Sequence, residues 1–206
     1  MDTILRGILL GLSITAPVGP TNIEIIRRGL KEGWKSAFIF CIGVMVALII
    51  YLVLVVFGLS FLTESEIFNI ILLIFGVIVL FYLAYNAFKD FFKNKELEFS
   101  GEINSRKHFI PGIVLTLSNP AVLLLWTGIM GADLASRKGS FQEGLVLSLG
   151  ILLGVLIFFV CLTALIYGGA RFINRKNFKY VSLVAGVMLL YFGLNFGYKL
   201  IMKFFH

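Results

Sequence analysis

Long apolar runs, each about as long as a bilayer is thick, constrain this chain more than any other feature. A helix rises ~1.5 Å per residue, so crossing a ~30 Å hydrocarbon core takes ~20 mostly apolar residues. Six such windows can be read, at residues 4–26, 36–62, 67–88, 109–132, 141–167 and 178–202. The expectation is an all-α integral membrane protein of six transmembrane helices. Of the 206 residues, 59% are apolar and 14% charged, whereas soluble domains are ~45–50% apolar. The connections are short, the longest spanning residues 89–108, and leave no length for a soluble domain. Residues 1–206 are therefore read as a single transmembrane domain.

The formal charge of +7 does not indicate nucleic acid, because the basic residues lie in connections rather than on one amphipathic face. Their placement reports orientation. The connections after the first, third and fifth windows carry Arg27, Arg28, Lys31 and Lys35, then Lys89, Lys93, Lys95, Arg106 and Lys107, then Arg171, Arg175, Lys176 and Lys179. The opposite side has only Arg6, Arg137, Lys138, Lys199 and Lys203. Positive charge collects in cytoplasmic loops, which puts both termini outside and makes the chain a multi-pass protein of the cell (inner or plasma) membrane. The first window is too long for a signal-peptide core and ends in a basic loop, so it is read as a retained helix. Cys41 and Cys161 fall inside apolar windows, where cysteine usually packs as a small hydrophobe; neither a disulfide nor a metal site is expected.

The first and fourth windows share an interruption. Thr15-Ala16-Pro17-Val18-Gly19-Pro20-Thr21-Asn22 breaks the first, and Leu117-Ser118-Asn119-Pro120-Ala121 breaks the fourth. Each half crosses the membrane three times, an odd number, so the second half must start from the opposite side. Residues 1–88 and 109–206 thus read as two inverted three-helix repeats joined by the basic connector 89–108. Inside a helix a proline removes a hydrogen bond and clashes with the preceding turn, at a cost of ~3 kcal/mol or more. Broken backbone at membrane depth is tolerated only where it is buried in protein or lines a wet cavity. The breaks are therefore the candidate substrate site. Backbone N–H groups after Pro20 suit an anionic group such as a carboxylate, and Thr21, Asn22, Ser118 and Asn119 add polar side chains. The bland alternative is a pair of kinks whose polar residues cap neighbouring backbone.

Glu24 is the one carboxylate in the first window. Intramembrane acids often mark proton paths, which makes it a proton-coupling candidate; the alternative is a helix-end partner for Arg27 or Arg28. Asp133 and Arg137, four residues apart, read as a surface ion pair. Trp126 lies two turns beyond the second break and is the aromatic residue best placed for substrate. Gly150 with Gly154, and Gly193 with Gly197, permit close helix approach within the bundle or in a homodimer. No phosphate-binding glycine loop, metal-ligand cluster or serine elbow is found, so neither enzymatic activity nor a cofactor is expected.

The run from Ala16 to Asn22, followed by Arg27-Arg28-Gly29-Leu30 and Gly33, resembles the opening of the lysine exporter (LysE/RhtB-type) family. Tyr82-Leu83-Ala84-Tyr85, Ser118-Asn119-Pro120, Gly186 and Gly193 resemble later parts of the same family. The resemblance implies export of amino acids or related small metabolites, driven by the proton gradient. It carries Pro17, Gly19, Pro20, Asn22, Asn119 and Pro120 into the site. Two departures bear on the substrate and the coupling ion: Ala121 stands where the family usually has lysine, and Leu48 where many members have aspartate. The leading reading is a secondary exporter working by alternating access in the lipid bilayer. The alternatives are efflux of a divalent metal cation such as cadmium, disfavoured for want of clustered ligands, and a membrane thiol-disulfide electron carrier, disfavoured because neither break contains cysteine. A bundle that only organises other proteins is opposed by the breaks, which weaken a scaffold.

Overall fold

The computed structural model describes residues 3–16, 19–56, 66–92, 105–119, 122, 123, 126, 141–169 and 175–204. Regular structure among them is helical: α1 (Thr3–Thr15), α2 (Pro20–Glu32), α3 (Trp34–Val56), α4 (Glu66–Phe92), α5 (Ser105–Leu117), α6 (Phe141–Gly169) and α7 (Arg175–Phe204). Four stretches are long and apolar enough to cross a membrane alone, Trp34–Leu54, Ile74–Phe92, Gln142–Gly169 and Lys179–Met202. Helices α1 and α2 meet that condition only as a pair, bent by 76° at the break between them. Five of the six expected windows are thus accounted for. The fourth begins as α5, stops at Leu117, and then lies largely outside the described residues.

The helices outrun their apolar windows. Helix α4 continues through Lys89 and Asp90 to Phe92, and α5 starts at Ser105, so both ends of the stretch expected as a connector are helical. Apolarity locates the part inside hydrocarbon, whereas the helical ladder propagates until a breaker stops it.

Helix α1 packs chiefly against α6, α3 against α5, and α4 against α7, while α2 lies between α3, α6 and α7. Two of these crossings depend on glycine. A Cβ on Gly154 would meet the Ile8 carbonyl oxygen at 2.2 Å, and one on Gly43 would meet that of Phe109 at 2.2 Å. The expected close approach at Gly150 and Gly154 is therefore backbone against backbone. Around Gly193 the contacts are ordinary, 3.5 Å or more, and nothing lies near Gly197.

Phe40, Phe159, Ile25, Leu189 and Trp126 are buried in the interior, while Ile67, Ile71, Ile78, Leu149, Leu194 and Ile201 face outward. In water, exposing such a belt would cost ~25 cal/mol per Å² of apolar surface; against acyl chains it carries no such penalty.

Candidate functional site

In the first span, the carbonyl that ends α1 is met by a side chain from the start of α2. In an unbroken helix the Thr15 carbonyl would accept from the N–H of residue 19; here Asn22 Nδ2 donates to it at 2.7 Å. Pro20 opens α2 at a position where a helix needs no N–H donor, and Gly19 before it is extended, with φ −116° and ψ 178°. The second break solves the same problem from a distance. The Leu117 carbonyl, at the last residue of α5, accepts from the Tyr51 hydroxyl of α3 at 2.7 Å. Each exposed helix end is thus held by a polar side chain reaching across, as an interrupted backbone at membrane depth requires.

Both breaks open on one cavity of about 210 Å³. Gly19, Pro20, Thr21 and Asn22 line it from the first span, and Thr116, Asn119, Val122 and Trp126 from the fourth. Ile14, Thr15, Val44, Leu48, Val155 and Phe159 complete the described wall. The Thr15 hydroxyl donates to the Gly11 carbonyl at 2.7 Å and the Thr116 hydroxyl to that of Gly112 at 2.9 Å. Both side chains therefore offer lone pairs rather than hydrogens. Of the residues picked from sequence, Gly19, Pro20, Thr21, Asn22, Asn119 and Trp126 are brought together here. Ser118 lies at the break but turns elsewhere: its hydroxyl donates to the Val114 carbonyl, and it borders a narrow gap beside Gly76, Leu80 and Phe196. Pro17 and Pro120, like Ala121, Asp133 and Arg137, lie outside the described residues. Leu48, one of the two departures noted in the sequence, forms part of the wall.

A second polar centre runs along α2 from Glu24 to Glu32. Glu24 is fully buried. Arg27 donates to it through Nε at 2.9 Å and Nη2 at 2.8 Å, and Arg28 through Nε at 2.7 Å. Arg27 Nη1 also reaches Asp90 of α4 at 2.6 Å, and Lys31 Nζ contacts both oxygens of that carboxylate at 2.7 Å. Toward α5, Arg28 Nη1 donates to the Lys107 carbonyl at 3.1 Å and lies 3.2 Å from His108 Nδ1. Glu32 Oε2 stands 3.3 Å from both Lys107 Nζ and His108 Nε2. Pro111 explains one of these links: lacking an N–H, it leaves the carbonyl four residues earlier, that of Lys107, without its helical donor. Arg28 supplies one. Arg27, Arg28, Lys31, Glu32, Asp90 and Lys107 border a cavity of about 480 Å³. Glu24 is buried and is paired with both Arg27 and Arg28, the partners that the second reading of the sequence gave it. Asp90, His108, Thr15 and Thr116 were not singled out. Pro111 was the available signal, because a proline inside an apolar window orphans a carbonyl.

Long apolar helices, an outward apolar belt and a span broken beside an internal cavity define a multi-pass membrane protein. No solved structure matches the chain. The sequence matches the LysE type translocator family over residues 12–200, and the chain belongs to that family. It is 35% identical over 202 residues to the Bacillus subtilis "Putative amino acid efflux protein YcgF", covering 97% of each chain. It is 28% identical over 194 residues to the Pseudomonas aeruginosa "Chemotactic transduction protein ChpE", covering 92% of this chain and 94% of that one. A Haemophilus influenzae "Uncharacterized membrane protein" is 21% identical over 200 residues, covering 91% of this chain and 92% of the other.

Proposed function

We propose that the chain is a secondary transporter that exports amino acids or related small metabolites from the cytoplasm, coupled to protons and working by alternating access. The observation that carries this reading is a cavity shared by the two breaks, with Asn22 on one side and Asn119 on the other. A kink that served packing alone would not need two interrupted spans to meet around a hollow. Family membership and the efflux named for the Bacillus subtilis relative support it.

In this reading the six spans form two inverted repeats, residues 1–88 and 109–206. The packing supports the arrangement. An axis exchanging the halves would turn the α1–α6 crossing into the α5–α3 crossing and leave α4–α7 in place, and these are the three principal pairings. Both termini lie outside, which puts the Glu32 end of α2 in the cytoplasm. There the charged cluster ties the half-helix α2 to α4 through Asp90 and to α5 through Lys107 and His108. It is the inner gate: α2 swings only when these ion pairs part. Glu24 is the proton-coupling candidate, because protonating it would remove the charge that holds Arg27 and Arg28.

The test is purified protein in liposomes with an imposed pH gradient, screened against labelled amino acids and against cadmium. Gradient-driven movement of amino acids supports the exporter. Movement of cadmium alone, or movement indifferent to the gradient, contradicts it.

A further inference from the structure

We infer that the central cavity takes neutral amino acids with apolar side chains, bound as zwitterions, and turns away lysine, arginine, aspartate and glutamate. The inference rests on the exporter reading and narrows it. A broken span presents opposite helix poles to one hollow, because α1 ends at Thr15 where α2 begins at Pro20. Aligned peptide dipoles put about +0.5 of a charge at a helix N-terminus and about −0.5 at a C-terminus. The start of α2 suits a carboxylate. The ends of α1 and α5, with the lone pairs of the Thr15 and Thr116 hydroxyls, suit an ammonium.

The rest of the wall decides the class. Where a substrate side chain would lie, it meets Val44, Leu48, Val155 and Phe159. Among the described residues no ionisable group lines the cavity. Those nearest in sequence on α2 are Glu24, one turn beyond Pro20, with Arg27 and Arg28; they do not line the cavity and are committed to one another and, through Arg27, to Asp90 of α4. Residues 120–132, of which few are described, contain no ionisable side chain. A zwitterion has both its charges answered by helix poles, whereas a third charge on the substrate finds no counter-charge and loses its water. On membrane-insertion scales, that difference corresponds to discrimination on the order of a hundredfold.

Counterflow in liposomes loaded with unlabelled leucine tests this, with labelled leucine outside and excess competitors added. Valine and methionine should compete as leucine does, whereas lysine, glutamate, leucinol (no carboxylate) and isocaproate (no ammonium) should compete on the order of a hundredfold less well. Leu48→Asp should gain uptake of labelled lysine, by placing a carboxylate in the wall. Equal competition by lysine or glutamate overturns the inference and leaves the exporter standing, as does equal competition by leucinol. Counterflow of no amino acid at all removes the exporter reading and this inference with it.

Discussion

Asp90→Asn isolates the link between α2 and α4. The carboxylate is 7% exposed and accepts from Arg27 at 2.6 Å and from Lys31 at 2.7 Å. Replacing it by an amide of the same shape leaves two buried cations facing a neutral group. Stripping one partner from a buried ion pair costs ~3–5 kcal/mol. The low end applies, because Arg27 keeps Glu24 and the Lys31 side chain, 15% exposed, can turn toward water. A loss of ~3 kcal/mol shifts an equilibrium on the order of a hundredfold. Denaturant titration in mixed micelles should register that loss, and counterflow should show a gate that no longer closes. Lys31→Met removes one of the stranded cations, so the double variant should recover at least ~1 kcal/mol, within the coupling expected of touching residues. If Asp90→Asn costs less than ~0.5 kcal/mol, or if the two changes simply add, the cluster is no latch.

Asn22→Ala and Asn119→Ala should each depress transport severely while changing stability by only ~1 kcal/mol, the worth of a hydrogen bond; two fully active variants refute the site. Glu24→Gln should flatten the pH dependence of export, and an unaltered profile would assign the residue to structure alone. Gly154→Leu should separate α1 from α6, because its Cβ would fall 2.2 Å from backbone oxygen that cannot yield; overpacking of ~1–3 kcal/mol or more should appear as poor accumulation and early unfolding. Normal yield and stability would show that the crossing is looser than described.

Much of the fold can be read in the sequence because hydrocarbon is an unforgiving solvent. Apolar length marks the spans, and Pro20 beside Gly19 marks the end of one helix and the start of the next. Those signals are local. What escaped was set by distant partners: nothing near Asp90 reveals that α4 brings it to Arg27 and Lys31, residues about sixty positions earlier. Tyr51 gave equally little sign that its hydroxyl would meet Leu117. The helices also run past their apolar windows: Lys89 and Asp90 lie inside α4 and Arg106 inside α5, because a charged side chain ends an apolar run without ending the helical ladder. Glu24 sits between these cases. Its buried position could be argued from the window, but its two simultaneous arginine partners emerge only once the side chains are placed.

Water-soluble maleimide should settle whether the interrupted spans surround a wet hollow. In a Cys41→Ala/Cys161→Ala background reconstituted in lipid, Thr21→Cys at the first break is compared with Val53→Cys on the outward face of α3. Rapid modification of the first and none of the second is the expected result. If both thiols stay silent, the breaks face no water, and a transport path through them is contradicted.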